Sequence, residues 1–245
     1  MWTFLHRLGS PPHFYELAGR LTPWFGWTCA GLIVAGLYGG LVLAPPDYQQ
    51  GESYRIIFIH VPSAWMSLFV YVVMAGAAAV GLIWRMKIAE VVVISSAPVG
   101  ASFTFVALVS GSLWGKPMWG TYWVWDARLT SELILLFLYL GVIGLHAAIE
   151  DSRTAGRAVS VLAIVGVVNV PIIHYSVEWW NTLHQGPTVT RLGAPAIHMS
   201  MLAPLLVMAL AFKLYYVSVM LVRARSEVLE RERNSAWVRE LLAGP

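Results

Sequence analysis

Six apolar stretches, near residues 24–43, 61–84, 91–113, 129–149, 157–177 and 198–222, decide most of what this chain can fold into. Each falls within the roughly 17–25 residues a helix needs to cross a bilayer, where every backbone amide must be satisfied within its own segment. The predicted fold is therefore an all-α integral membrane protein with six transmembrane helices. Composition agrees, because 12% of the 245 residues are charged, against about 25% in a soluble domain. Six spans place both termini on one side. The termini, residues 85–90 and 150–156, and the helix ends bordering them carry Arg7, Arg20, Arg85, Lys87, Arg153, Arg157, Arg223, Arg225, Arg231, Arg233 and Arg239. The opposite segments, 44–60, 114–128 and 178–197, carry only Arg55, Lys116, Arg128 and Arg191. Eleven against four, with Lys213 left inside the last span, puts the termini in the cytoplasm and the three longer loops outside. The net charge of +3 is then a topological bias, and a nucleic-acid partner is not called for. The first run reads as a retained span, since it starts late and is about 20 residues long. Residues 223–245 read as a solvated cytoplasmic tail with alternating Arg and Glu.

Several chemistries are excluded. The chain lacks the glycine-rich nucleotide loop, the Gly-x-Ser-x-Gly elbow and the His-Glu-x-x-His pair, so ATP hydrolysis, serine hydrolysis and zinc proteolysis have no machinery here. One cysteine, Cys29, rules out an internal disulfide or a Cys-rich cluster. Any metal must be held by His, Met, Tyr or carboxylate.

The second outer loop, 114–128, contains four of the 12 tryptophans within 12 residues: Trp114, Trp119, Trp123 and Trp125. An interfacial belt scatters one or two aromatics at each helix end, as Trp24, Trp27, Trp65 and Trp84 do. The 114–128 cluster is denser. Extended, it sets Trp119, Trp123 and Trp125 on one side; helical, it aligns Trp119, Tyr122, Trp123 and Asp126. Either way it forms a flat apolar platform ending in Asp126 and Arg128, suited to a planar ligand with acidic substituents.

Of the seven histidines, His6 and His13 lie on the cytoplasmic tail and His146 and His174 within spans, where packing is the ordinary role. His60, His184 and His198 lie at the outer face. His60 precedes Val61-Pro62, which suits a helix start, and His184 follows the Trp179-Trp180 pair by a few residues. Two imidazoles on different outer segments beside an aromatic platform could bind the two faces of a haem iron.

The run Trp119-Gly-Thr-Tyr-Trp-Val-Trp-Asp126-Ala-Arg-Leu-Thr-Ser131 resembles the tryptophan-rich WWD signature of the haem-handling proteins of cytochrome c maturation. Over essentially its whole length the chain resembles the CcmC family. The larger relative CcmF would need many more spans and further histidines. Tyr122 stands where such signatures often carry Trp, and keeps a flat aromatic. The resemblance implies that His60 and His184 are axial ligands of haem b. It implies that Trp114, Trp119, Tyr122, Trp123, Trp125 and Asp126 form the platform and chaperone-docking segment. It further implies a bacterial inner-membrane protein whose site faces the periplasm and presents haem to the chaperone CcmE, with CcmD and the ATP-binding-cassette subunits CcmA and CcmB as partners. Such a protein has a lyase-like transfer role and no ATPase of its own. Guanidinium forks match carboxylates, so Arg55 and Arg128 are expected at the haem propionates, with His198 further out. Two rival readings differ in kind. A self-contained haem transporter would need a polar path through the spans, for which Glu132, His146, Asn169, Pro171, His174 and Lys213 are the sparse candidates. A pure scaffold would recruit the chaperone without touching haem.

Overall fold

The computed structural model describes residues 9–186, 189 and 193–243; His6, Arg7 and Arg191, used above, lie outside them. Helix α1 spans Pro11–Tyr38 and runs on as a π-helical turn, Gly39–Leu43. A 3-10 turn, Glu52–Ile56, leads into α2, Ile57–Trp84, which is followed by α3, Lys87–Trp119. Then come α4 (Ala127–Ala148), α5 (Ser152–Gly166), α6 (Asn169–Trp179), α7 (Met199–Arg231) and the short α8 (Ala236–Ala243). Among the described residues there is no strand, and six segments are long and apolar enough to cross a membrane, α5 and α6 together forming the fifth.

The helices are longer than the apolar runs alone suggest, because polar and aromatic residues at their ends continue the hydrogen-bonded spiral. The first begins at Pro11, not near 24, with Pro at its first position where no amide partner is lost. The third continues to Trp119, so Trp114 is helical and not part of a loop. It stops where Gly120 takes a left-handed φ of 77° and its N–H closes onto Lys116 O at 3.0 Å. After it, residues 123–126 form no regular element, and Asp126, in an extended conformation, caps α4 by accepting from Leu129 N at 2.8 Å. The segment is thus helical up to Trp119 and irregular from Gly120 to Asp126, so neither a continuous helix nor a strand carries the whole cluster. The fifth span is interrupted by a turn at Val167-Val168, beside which Asn169 Nδ2 donates to Ser131 O of α4 at 2.8 Å.

Lipid tails are as apolar as leucine, so close packing and hydrogen bonds hold such a bundle together. α2 lies along α3, α1 lies along α7, and α4 bridges α3 to α5 and α6. The core is centred on Tyr71 and Tyr139, whose rings meet edge to face at 5.0 Å. Tyr139 Oη donates to Ser67 O at 2.7 Å, tying α4 to α2. Lys213, the charge inside the last span, sits over the Phe69 ring with its Nζ 5.4 Å from the centroid. α1 presents Trp24, Trp27 and Val34 outward as an apolar face.

Candidate functional site

At one end of the bundle the start of α2, the end of α3, the start of α4, the segment after α6 and the start of α7 enclose a cavity of about 330 Å³. That is within the roughly 300–1,000 Å³ of small-molecule sites. Its wall includes His60, Trp114, Trp119, Arg128, Glu132 and His184. Residues up to 124 positions apart in sequence are therefore brought to one space by helix ends.

His60 lies in the first turn of α2 and is 9% exposed. Its Nδ1 is 3.1 Å from both Ala107 O and Ser110 Oγ on α3. A carbonyl only accepts, so Nδ1 carries the proton and Nε2 is left with its lone pair. Trp114 stands edge-on to this ring at 5.6 Å and donates from Nε1 to Gln50 Oε1 at 2.9 Å. The ring also rests on Gly111, where a β-carbon would meet His60 Cε1 at 2.8 Å. His184, half-buried, makes the same choice of tautomer, with Nδ1 donating to Gln185 O at 2.8 Å. Burial, then the positive charge of Arg128, holds its imidazole below the ordinary pKa, so the ring is neutral at pH 7.

The two imidazole centroids are 6.4 Å apart with 38° between planes. A metal–imidazole bond of about 2 Å on each side, plus the two ring radii, places the centroids of two opposed ligands roughly 6 Å apart. A nitrogen left free by a carbonyl-bound partner nitrogen is the usual arrangement of ligating histidines. Two imidazoles at this spacing, each with its Nδ1 held by a carbonyl, form a donor set of the kind that ligates haem iron.

The remaining predicted residues divide into two groups. Trp119 faces His184 at 6.4 Å and lines the cavity. Arg128 lines it too, while donating to Ile173 O at 2.7 Å. Trp123, Trp125, Tyr122 and Asp126 stand outside its wall. Trp125 is 77% exposed and meets Trp123 edge-on at 5.4 Å; Tyr122 is 54% exposed with Lys116 over its ring. Trp123 Nε1 and Asp126 Oδ2 are buried without partners, an open donor and an open acceptor. Arg55 is turned away from the cavity wall, pairing with Glu52 and donating to Gly40 O at 2.6 Å. His198 caps α7, its Nδ1 near Ser200 Oγ at 2.8 Å.

Sequence reasoning missed Gln50, which orients Trp114, and Gly111, which makes room for His60. Glu132, offered above only as part of a polar path through the spans, is buried in the cavity wall and accepts from Ser67 Oγ at 2.7 Å. The i, i+4 spacing of Arg128 and Glu132 on α4 was the available signal for that placement.

Residues 4–239 match the family model of Heme exporter protein C, CcmC. The chain is 52% identical over 242 residues to Heme exporter protein C of Escherichia coli strain K12, covering 99% of this chain and 98% of that protein. Heme exporter protein C of Haemophilus influenzae is 48% identical over 241 residues, 98% of each. That of Bradyrhizobium diazoefficiens is 51% identical over 228 residues, 93% of this chain and 86% of its own. With the match running through every helix that builds the cavity, the chain belongs to the Heme exporter protein C (CcmC) family.

Proposed function

We propose that this protein holds haem b at the periplasmic end of its bundle and presents it to the chaperone CcmE for covalent attachment during c-type cytochrome biogenesis. The observation that carries the reading is the neighbouring pair His60 and His184, 6.4 Å apart at the ring centroids, with each Nδ1 committed to a carbonyl. The names of the relatives, all Heme exporter protein C, support haem as the cargo.

In this reading His60 and His184 are the axial ligands of a ferric iron. Haem brings the redox-active iron and the vinyl groups; the protein contributes position and orientation. Trp114 and Trp119 wall the ring plane, and Arg128 faces a propionate. Trp123, Trp125, Tyr122 and Asp126 form the segment that receives the chaperone, with the exposed rings of Tyr122 and Trp125 as its contact surface. Arg55 serves instead to join the α1 end to the 3-10 turn before α2. The termini are cytoplasmic, the membrane is the bacterial inner membrane, and CcmD, CcmA and CcmB complete the assembly, the last two supplying ATP hydrolysis.

Absorption spectra of the purified protein test the ligand assignment. Single alanine substitutions at His60 or His184 each remove one ligand and convert a low-spin spectrum to a five-coordinate one; the double substitution loses haem. Stoichiometric haem with unchanged bands in H60A/H184A would refute it.

A further inference from the structure

At the opposite end of the bundle, the turn between α2 and α3, the turn between α4 and α5, and the end of α7 surround a second, larger cavity of about 920 Å³. Five cationic side chains reach its wall: Arg85, Lys87, Arg153, Arg157 and Arg231. Three carboxylates do so as well, and their commitments decide what charge is left. Glu90 pairs with Arg231 at 3.3 Å, and Arg231 pairs again with Glu227 at 2.7 Å. Glu232 pairs with Lys87 at 2.9 Å. Asp151 caps α5 by accepting from Thr154 N at 2.7 Å, and the charges of both Arg153 and Arg157 reach its carboxylate. Among the described residues Arg85, Arg153 and Arg157 make no ion pair. Three guanidinium groups that make no ion pair among the described residues, with the Asp151 carboxylate, thus line a space large enough for a ligand. The wall also contains Gly81 and Leu82 of α2, an apolar flank continuous with the membrane-facing helix.

We propose that this cleft binds a phosphate-bearing anion through Arg85, Arg153 and Arg157. Planar guanidinium forks match phosphate oxygens in bidentate fashion, and basic pockets between helices at the cytoplasmic surface suit anionic lipid headgroups. The site is separate from the haem cavity and independent of the haem reading.

The full-length protein in neutral detergent is titrated calorimetrically with dioctanoyl phosphatidylglycerol, dioctanoyl phosphatidylcholine and inorganic phosphate. Binding of phosphatidylglycerol alone assigns a lipid headgroup; binding of inorganic phosphate as well assigns a soluble phosphate source; either supports the site. R85Q/R157Q weakens the binding at least tenfold, and R85K/R157K, which keeps charge without the fork, falls between. D151N retains a capping side chain and removes the competing charge, so it tightens binding, a gain that misfolding cannot produce. Equal binding of phosphatidylcholine, no binding of either anion, or unchanged affinity in both R85Q/R157Q and D151N overturns the proposal.

Discussion

Replacing Gly111 by alanine tests whether the His60 ring is held as closely as the site requires. The new β-carbon would lie 2.8 Å from His60 Cε1 and 3.3 Å from Nδ1. Restoring ordinary contact at 3.4 Å means moving the ring edge by about 0.6 Å. The ring cannot slide freely, since Nδ1 is anchored to Ala107 O and Ser110 Oγ and Trp114 stands against it. Overpacking of this kind costs about 1–3 kcal/mol. Alanine within a helix recovers about 1 kcal/mol relative to glycine, so net stability falls by about 0–2 kcal/mol and the protein folds. Ligation is more sensitive, because disturbing the partner of a ligating histidine typically weakens metal affinity about 10–100-fold. The assay is haem titration followed by absorption, with thermal unfolding in parallel. Gly76, which has nothing within 4 Å of an added β-carbon, supplies the control G76A. Haem affinity and spin state in G111A equal to those of G76A would refute both the crowding argument and the role of the His60 anchor.

Two further outcomes follow from the division of the aromatic segment and from the α5 cap. W119A removes a cavity wall beside His184 and is expected to lower haem affinity at least tenfold. W125A, exposed and outside the wall, is expected to leave haem affinity unchanged while abolishing capture of the chaperone in a pull-down; equal haem loss in both would put the whole segment on the ligand. The hydrogen bonds from Thr154, then Arg153 and Arg157, hold the Asp151 carboxyl below its usual range. Its contribution is therefore fully present above the ordinary carboxylate pKa and is lost as pH falls through the depressed value. D151N, which caps without titrating, should flatten the pH dependence of the thermal midpoint across that acid window, and an unchanged profile would contradict the assignment.

The six spans and the grouping of basic segments were legible because hydropathy and charge are local properties, readable within a window of one helix. The placement of His60 at a helix start followed from the same reading of helix ends, whereas its pairing with His184 was expected from residue type and the family resemblance. Helix boundaries were less accessible: Trp114 to Trp119 continue α3 because hydrogen bonds and a glycine cap at Gly120 end the helix, whereas hydropathy falls off earlier. Arg55 illustrates the limit for side chains. Residue type makes it a fit partner for a carboxylate, yet it is engaged by Glu52 and by the Gly40 carbonyl of a neighbouring element.

By itself, then, the sequence determined the solvent of the chain, the number of its apolar spans, and that any metal must be held by His, Met, Tyr or carboxylate. The tertiary structure alone decided which nitrogen of each imidazole is free, since that depends on Ala107 and Gln185 carbonyls aimed from the surrounding backbone. It also decided which tryptophans wall the cavity and which face outward, and that Glu132 and Gly111 belong to the site. These depend on how helices distant in sequence pack, and long-range packing leaves no periodic trace along a single chain.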